Sequence, residues 1–316
     1  MKDNIADITI LVLTYNSGIK SILKTLKSVI EQKKVNLEVI ISDDGSTVFN
    51  LDEINQFFKM NGFANYRILD NKINRGTVNN IKYALQFVRT QYVKFISPGD
   101  YFVNEYSVRD ALDYFEKSDY QIAFGRALYY SSENSEILNQ FSPFNIFPYK
   151  YRKFLGTYRK NIYIRNQIKY LDTFLGASVI SRTNICKKYI DEICQDIRLA
   201  EDTMYLLMIA DGIEFGFINE AFIYYEYGTG VSTDLNNKNY NRVFEEVKIA
   251  LRLIKEHHPE LKKTCLYTLK EDDGVVRFFR RISRKFYIIF YRDVLGKVEN
   301  YFFIKHSLNE NTICNI

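Results

Sequence analysis

The chain has no tryptophan, four prolines, three histidines and four cysteines among its 316 residues. Cys186, Cys194, Cys265 and Cys314 form no Cys-x-x-Cys pair. With only His257, His258 and His306 beside them, a zinc site has little support. Free structural thiols in a reducing compartment are expected. No run approaches the roughly 18 apolar residues of a membrane-crossing helix. No basic stretch leads into an apolar one at the N-terminus, because Ile8 to Leu13 is short and lies inside the first fold element. No Gly-x-Gly-x-x-Gly follows the first strand, and the phosphate-cradling Gly-x-x-x-x-Gly-Lys-[Ser/Thr] loop is absent, which argues against a dinucleotide fold and a P-loop. What is present is ordinary for a soluble globular chain: 47% hydrophobic and 26% charged residues, with 25 Tyr and 24 Phe. The length suits about two domains, or one large one with an appendage.

The first hundred residues alternate apolar strand-like runs with helix-period segments. Ile8 to Leu13 is a near-continuous apolar strand broken by Thr14-Tyr15-Asn16-Ser17-Gly18. Ile19, Ile22, Leu23, Leu26, Val29 and Ile30 then recur at helical spacing. Leu37 to Ile41 reads as the second strand and Asp52 to Met60 as the second helix. Tyr66 to Leu69 is the third strand, Val78, Ile81, Leu85 and Val88 mark the third helix, and Tyr92 to Ile96 is the fourth strand. This β-α-β-α-β-α-β order predicts an α/β fold with a parallel, doubly wound sheet.

Polar ligands on such sheets sit outside the carboxyl ends of the strands. All four ends carry ligand-type residues: Thr14-Tyr15-Asn16, Asp43-Asp44, Asn74-Arg75-Gly76, and Ser97 to Asp100. Carboxylates accept hydrogen bonds from a base N–H or ribose hydroxyls, and an adjacent ring can pack on a base. Phosphates need positive charge, which a divalent cation held through one or two carboxylates supplies; Asp100 is the candidate ligand. Arg75 either neutralises phosphate charge or is a solvated loop arginine. Further on, Glu201-Asp202 precede Met204, Leu207 and Met208 on one helical face. Acids at a helix start commonly cap it, but the same place favours an ionised carboxylate able to act as a base.

On these residues the chain resembles the family 2 glycosyltransferases of GT-A fold. The matching pieces are Thr14-Tyr15-Asn16, Ser42-Asp43-Asp44-Gly45-Ser46, Asn74-Arg75-Gly76 with Asn79-Asn80, the region ending at Asp100-Tyr101, and Glu201-Asp202. The resemblance implies a Rossmann-like nucleotide-sugar-binding domain over 1–235; beyond it, the helical spacing of Val243, Val247, Leu251 and Ile254 predicts a mostly helical C-terminal extension over 236–316. It implies inverting transfer of a sugar from a nucleotide diphosphate sugar, most commonly a UDP-sugar, with Mg²⁺ or Mn²⁺. Thr14, Tyr15, Asn16, Asp43, Asp44, Asn74, Arg75, Gly76 and Asp100 then belong to the donor site. Asp44 contacts base or ribose, Asp100 holds the metal, and Asp202 is the base. The Asp-x-Asp arrangement reads Ser97-Pro98-Gly99-Asp100, lacking carboxylates at 97 and 99, so the metal rests on Asp100 and the donor's phosphates. Without tryptophan the Gln-x-x-Arg-Trp signature of processive relatives is absent, which favours one sugar per encounter.

Beyond the fourth strand, Gln121 to Tyr130 reads as a long strand, and 131–170 shows no clear period, as expected of a loop or lid on the acceptor side. Ile213 to Ile218 and Phe222 to Tyr227 read as two strands. Gly228 to Thr233 is either a loop folding over the diphosphate or a plain connection. Between Gly274 and Lys297 the formal charge is +6 in a chain whose total is +5, interleaved with Phe278, Phe279, Ile282 and Phe286. That composition suits contact with anionic lipid, or a packing helix with a basic outer face. The sequence-level expectation is a cytoplasmic enzyme touching the inner face of the cell membrane, acting on a glycan or lipid-linked acceptor in surface polysaccharide synthesis and binding no nucleic acid. The competing readings are a non-catalytic sugar-nucleotide-binding module and a nucleotidyltransferase.

Overall fold

A computed structural model describes residues 6–131, 137–138, 157–171, 175–231, 236–270, 274–276, 278–279 and 282–283. Its centre is β1 (Ile8–Thr14), in which Ile8, Ile10, Leu11 and Val12 are all fully buried. Side chains alternate across a strand, so Ile8, Ile10 and Val12 join one core and Leu11 the other. On the first side they meet Val39 and Ile41 of β2 (Leu37–Asp44), the stripe Ile22, Leu26 and Val29 of α1 (Ile19–Ile30), and Ile54 and Phe58 of α2 (Leu51–Met60). On the second, Leu11 and Ile40 lie with Leu69 of β3 (Tyr66–Asn71) and with Val78 and Ile81 of α3 (Thr77–Leu85). Strands buried on both faces and covered by helices on both sides are the doubly wound arrangement that the periodicity predicts.

The sheet runs β3-β2-β1-β4-β8-β6-β9-β5, with β7 paired to β6. Here β4 is Tyr92–Ile96, β5 Tyr101–Phe102, β6 Ile122–Tyr130, β7 Ile137–Leu138, β8 Val179–Arg182 and β9 Phe215–Glu226. The β3-β2-β1-β4 half is parallel, as expected. The other half is mixed: β8 runs antiparallel to β4 and β6, β5 antiparallel to β9, and β6 parallel to β9. The two strands expected at 213–218 and 222–227 are one strand, β9, whose register against β6 shifts between Phe124 and Ala127. Hydrophobic alternation cannot tell a break from an irregularity of this kind, because both interrupt the period of two.

The remaining helices are α4 (Ser107–Glu116), α5 (Thr157–Tyr170), α6 (Thr183–Ile193), α7 (Thr203–Ala210), α8 (Tyr240–His257) and α9 (Lys262–Leu269). Helix α5 lies inside the stretch expected to be loop or lid. Its buried Ile164, Gln167 and Ile168 form a narrow seam on a helix otherwise rich in Lys, Arg and Tyr, too weak a period to read in advance. Every residue of α7 is buried, not one face alone. It is wrapped by α5, α6 and α8, and Ala250, Leu251 and Ile254 of α8 share its core. No helix among the described residues is long and apolar enough to cross a membrane. Most of the basic stretch 274–297, residues 232–233 of the small-residue loop and most of 131–156 lie outside the described residues.

Candidate active site

The parallel register sets the polar strand ends side by side: Thr14 opposite Asp43, and Asp44 opposite Asn71. Hydrogen bonds then tie the loops that leave them. Asn16, in the left-handed region at φ 49°, donates its N–H to Ser46 Oγ (2.6 Å) and accepts from the Thr47 N–H through Oδ1 (2.9 Å). Ser46 donates its N–H and its hydroxyl to Asp43 at 2.7 and 2.5 Å. Asp44 accepts from the backbone N–H groups of Arg75 (2.8 Å) and Gly76 (2.9 Å), one on each carboxylate oxygen. The loops after β2 and β3 touch where Gly45, at φ 76°, leaves no room for a side chain: a Cβ there would lie 2.7 Å from the Asn74 N atom. Beneath them, Ser42 and Asn80 exchange two hydrogen bonds (2.6 and 3.1 Å). Asn71 donates to the Asp43 carbonyl at 2.7 Å.

The same geometry gives each expected site residue its structural surroundings. Asp43 is fully buried and accepts the Ser46 N–H on one oxygen and the Ser46 hydroxyl on the other, closing the turn after β2. Asp44 is also buried and braces the Asn74-Arg75-Gly76 loop. Burial raises its pKa, and the two amides and Arg198 pull it back. Tyr15 is 49% exposed and free to pack on a planar group. The Thr14 hydroxyl is buried without a hydrogen-bond partner. The Arg75 side chain is exposed, its guanidinium 4.8 Å from the centre of the Tyr83 ring. Asn74 accepts from Arg198 through both its carbonyl and Oδ1 (3.1 and 2.5 Å).

The second half of the site gathers around the end of β4. Asp100 closes a turn by donating its N–H to the Ser97 carbonyl (3.0 Å), while its own carbonyl accepts from the Thr25 hydroxyl (2.7 Å). Its carboxylate accepts from the Glu226 N–H at 3.0 Å. Burial pushes the Asp100 pKa up to about 7, against the pull of that N–H and of Lys94. Lys94 lies in the middle of β4 with no exposed surface, and its ammonium donates to the Phe95 carbonyl. Burial lowers its pKa to about 7, while the charges of Asp100 and Asp202 oppose that shift. Lys94 therefore feels both acids, which places Asp100 and Asp202 in one electrostatic neighbourhood.

Asp202 stands at the start of α7 but makes no capping hydrogen bond. The residue keeps some exposure, while its Oδ1 is buried without a partner and pressed against Gly176, where a Cβ would lie 2.2 Å away. Burial raises the pKa of Asp202, and the Gly176 N–H and Lys94 favour the charge. Glu201 is likewise raised by burial and by Asp202 beside it. The segment before them is clasped from α8: buried Glu246 accepts the N–H groups of Leu199 (2.7 Å) and Ala200 (2.9 Å) and pairs with Arg242 at 2.9 Å. Sequence reasoning missed Lys94, Arg198, Glu226 and Glu246. Only Lys94 leaves a readable signal, a charge at an inward position of an apolar strand.

Among the described residues no group of three or more His, Cys, Asp or Glu could hold a metal ion. The donor set fits a different kind of cation site, in which one or two carboxylates share a Mg²⁺ or Mn²⁺ with phosphate oxygens. Asp100 and the Glu226 carboxylate are the groups available for it.

Solved structures place this architecture. S. aureus TarS 1-349 is similar with a TM-score of 0.54 and 18% identity, over 85% of this chain and 74% of that one. The same TarS portion crystallised with UDP gives a TM-score of 0.52 at 16% identity, over 84% and 71% of the two chains. With UDP-GlcNAc it gives 0.51 at 18%, over 78% and 66%. The fold is thus a GT-A-like glycosyltransferase fold. An uncharacterized glycosyltransferase of Haemophilus influenzae is 27% identical over 126 residues, a match that spans 40% of this chain and 38% of that protein. The family model described as "Glycosyl transferase family 2" matches residues 9–174, just over half of the sequence. The chain belongs to glycosyl transferase family 2.

Proposed function

We propose that the protein transfers one sugar, with inversion, from a nucleotide diphosphate sugar to a hydroxyl of a glycan or lipid-linked acceptor. The observation that carries this reading is the row of polar strand ends at the carboxyl side of the parallel sheet, where Asp44 holds the Arg75-Gly76 loop, together with the electrostatic link of Lys94 to Asp100 and Asp202. TarS, which shares the fold, crystallises with UDP and with UDP-GlcNAc, and a UDP-sugar is the donor we favour. Tyr15, exposed beside the Asp43-Asp44 turn, packs on the base. Asp44 holds the loop that carries Arg75 and presents its remaining lone pairs to base or ribose. A divalent cation bound at Asp100 would neutralise the diphosphate.

The chain's own contribution to chemistry is Asp202. Its carboxylate takes the proton of the acceptor hydroxyl while that oxygen bonds to the anomeric carbon. The bond from that carbon to the diphosphate oxygen breaks, and the nucleoside diphosphate leaves with the electron pair. Lys94 and the Gly176 N–H favour the ionised base that this requires, and burial raises its affinity for the proton. An acceptor at the inner face of the membrane agrees with the basic, aromatic composition of 274–297.

Transfer of radiolabelled sugar to an acceptor extract, measured beside UDP binding, tests the proposal. Asp202→Asn should bind UDP within about twofold of wild type and transfer about 10²–10⁴ times more slowly, the usual contribution of general acid–base catalysis. Wild-type protein that binds UDP-sugar and transfers nothing would instead be a binding module. Pyrophosphate release from a nucleoside triphosphate would point to nucleotidyl transfer.

A further inference from the structure

The turn that ends in Asp100 lacks acids at 97 and 99, and the structure shows what lies in the space beside Gly99. Gly99 is at φ 102°, and a Cβ built on it would meet Glu226 Oε2 at 2.1 Å and Glu226 Cδ at 3.0 Å. The carboxylate at the end of β9 therefore fills the volume in which a side chain at position 99 would begin. Its backbone is fixed there too, because the Glu226 N–H donates to Asp100 Oδ1 at 3.0 Å. The positive φ calls for glycine at 99, and the Glu226 carboxylate occupies the place that a Cβ would take. β5, which follows Asp100 directly, pairs with β9 through Tyr101–Tyr224 and Phe102–Ile223, so the sheet itself brings the end of β9 to the Gly99-Asp100 turn.

The surroundings suit a cation. No ion pair within 4.0 Å joins Glu226 to any described lysine, arginine or histidine. Lys24 lies over the rings of Tyr101 (4.3 Å) and Tyr130 (4.9 Å) and feels the Glu226 charge from there, an interaction that a bound cation would compete with. The buried Tyr101 hydroxyl, next in sequence to Asp100, has no hydrogen-bond partner. Two carboxylates tied together by backbone, with the charges of Lys94 and Lys24 close by but no ion pair at Glu226 among the described residues, form one half of an oxygen-ligand shell.

We propose that Glu226 supplies the carboxylate that position 99 lacks, so that Glu226 and Asp100 together present the protein ligands for a Mg²⁺ or Mn²⁺ shared with the donor diphosphate. The inference rests on the nucleotide-diphosphate donor proposed above. It is specific to this chain's exchange of an acid at 99 for one reaching in from β9.

The test is Mn²⁺ binding to the full chain in the presence of saturating UDP, read by the electron paramagnetic resonance signal of free Mn²⁺. Calorimetric UDP binding without metal is measured alongside, with GDP and CDP as further probes. Glu226→Gln and Asp100→Asn should each raise the apparent Kd for Mn²⁺ at least tenfold, and Glu226→Gln should keep metal-free UDP affinity within twofold of wild type. Glu226→Asp, which keeps the charge on a shorter arm, should fall between. Far-UV circular dichroism matching wild type, with cooperative urea unfolding, shows that each variant is folded. Mn²⁺ affinity within twofold of wild type in both Glu226 variants overturns the proposal while leaving the donor reading intact. So does Mn²⁺ that binds wild type with UDP no more tightly than it binds UDP alone. A wild-type chain that binds none of the three diphosphates, with or without Mn²⁺, overturns the donor reading and this inference with it.

Discussion

Replacing Asp44 tests whether this buried acid is a brace as well as a ligand group. Its two oxygens accept from the Arg75 and Gly76 N–H groups at 2.8 and 2.9 Å. Hydrogen bonds to a charged acceptor contribute about 1.5–3 kcal/mol, and a buried donor left without a partner costs about 1–3 kcal/mol. Arg75 is exposed, so water can take over its N–H; Gly76 is buried, and its N–H is left stranded. Removing the charge also relieves the burial penalty that raises the Asp44 pKa. The balance for Asp44→Ala is a loss of about 2–4 kcal/mol, and about half that for Asp44→Asn, which retains one acceptor. At about 1.4 kcal/mol per tenfold, amide exchange at Gly76 should accelerate roughly 30- to 700-fold in Asp44→Ala. Urea unfolding followed by circular dichroism gives the global value, and hydrogen exchange gives the local one. The raised pKa also sets a slope. The folded state holds that proton more tightly than the unfolded chain, so the contribution is full below the ordinary carboxylate range and is lost as pH rises through the raised value. Asp44→Asn should flatten that slope. Gly76 exchange within threefold of wild type, together with an unchanged urea midpoint in Asp44→Ala, would refute the bracing role.

Other expectations follow from the same geometry. Because burial raises the Asp202 pKa, the acid limb of a kcat/KM profile should lie above the ordinary carboxylate range, activity falling as the base gains its proton. Lys94→Met, which removes a charge favouring ionised Asp202, should move that limb to higher pH. For Asp100, lifted to about 7 by burial, folding stability should decline between about pH 4 and that value. Asp100→Asn should remove that decline when urea unfolding at pH 5 is compared with pH 8. Gly76→Ala places a Cβ 2.2 Å from Arg198 Cγ at φ 84° and should cost at least about 1–3 kcal/mol of backbone strain, read by thermal melting, with weaker nucleotide binding. Glu246→Ala strands the Leu199 and Ala200 N–H groups and should cost about 2–4 kcal/mol, lowering kcat more than it raises the donor KM.

The parallel half of the fold was legible because β1 to β4 are buried on both faces and their helices carry clean apolar stripes, so local pattern and tertiary packing agree. The polar strand ends were legible for the same reason: Asp44 and Asp100 stand where an apolar run stops. The antiparallel half was harder to read. β8 is four residues long, β9 carries an irregularity, and α5 buries only a narrow seam, so none imposes a strong period. Asp43 and Asp44 are indistinguishable in sequence, yet one serves its own turn and the other a neighbouring loop. Lys94 could have been noticed as a charge in a strand. Glu226 could not, since its meaning depends on Gly99 127 residues earlier in the chain coming within touching distance through the β5–β9 pairing.

The clasp from Glu246 carries a consequence for anyone cutting or recombining this chain. The amides it holds, 46 and 47 residues upstream of Glu246, lie just before the acid proposed as the base. A truncation at residue 235, where composition suggests a boundary, would delete a structural clamp on the catalytic segment. Exchanging C-terminal portions between relatives would import a foreign clamp along with any new acceptor preference. Grafts intended to change specificity should therefore retain the native α8, and its inward face should be screened for turnover defects.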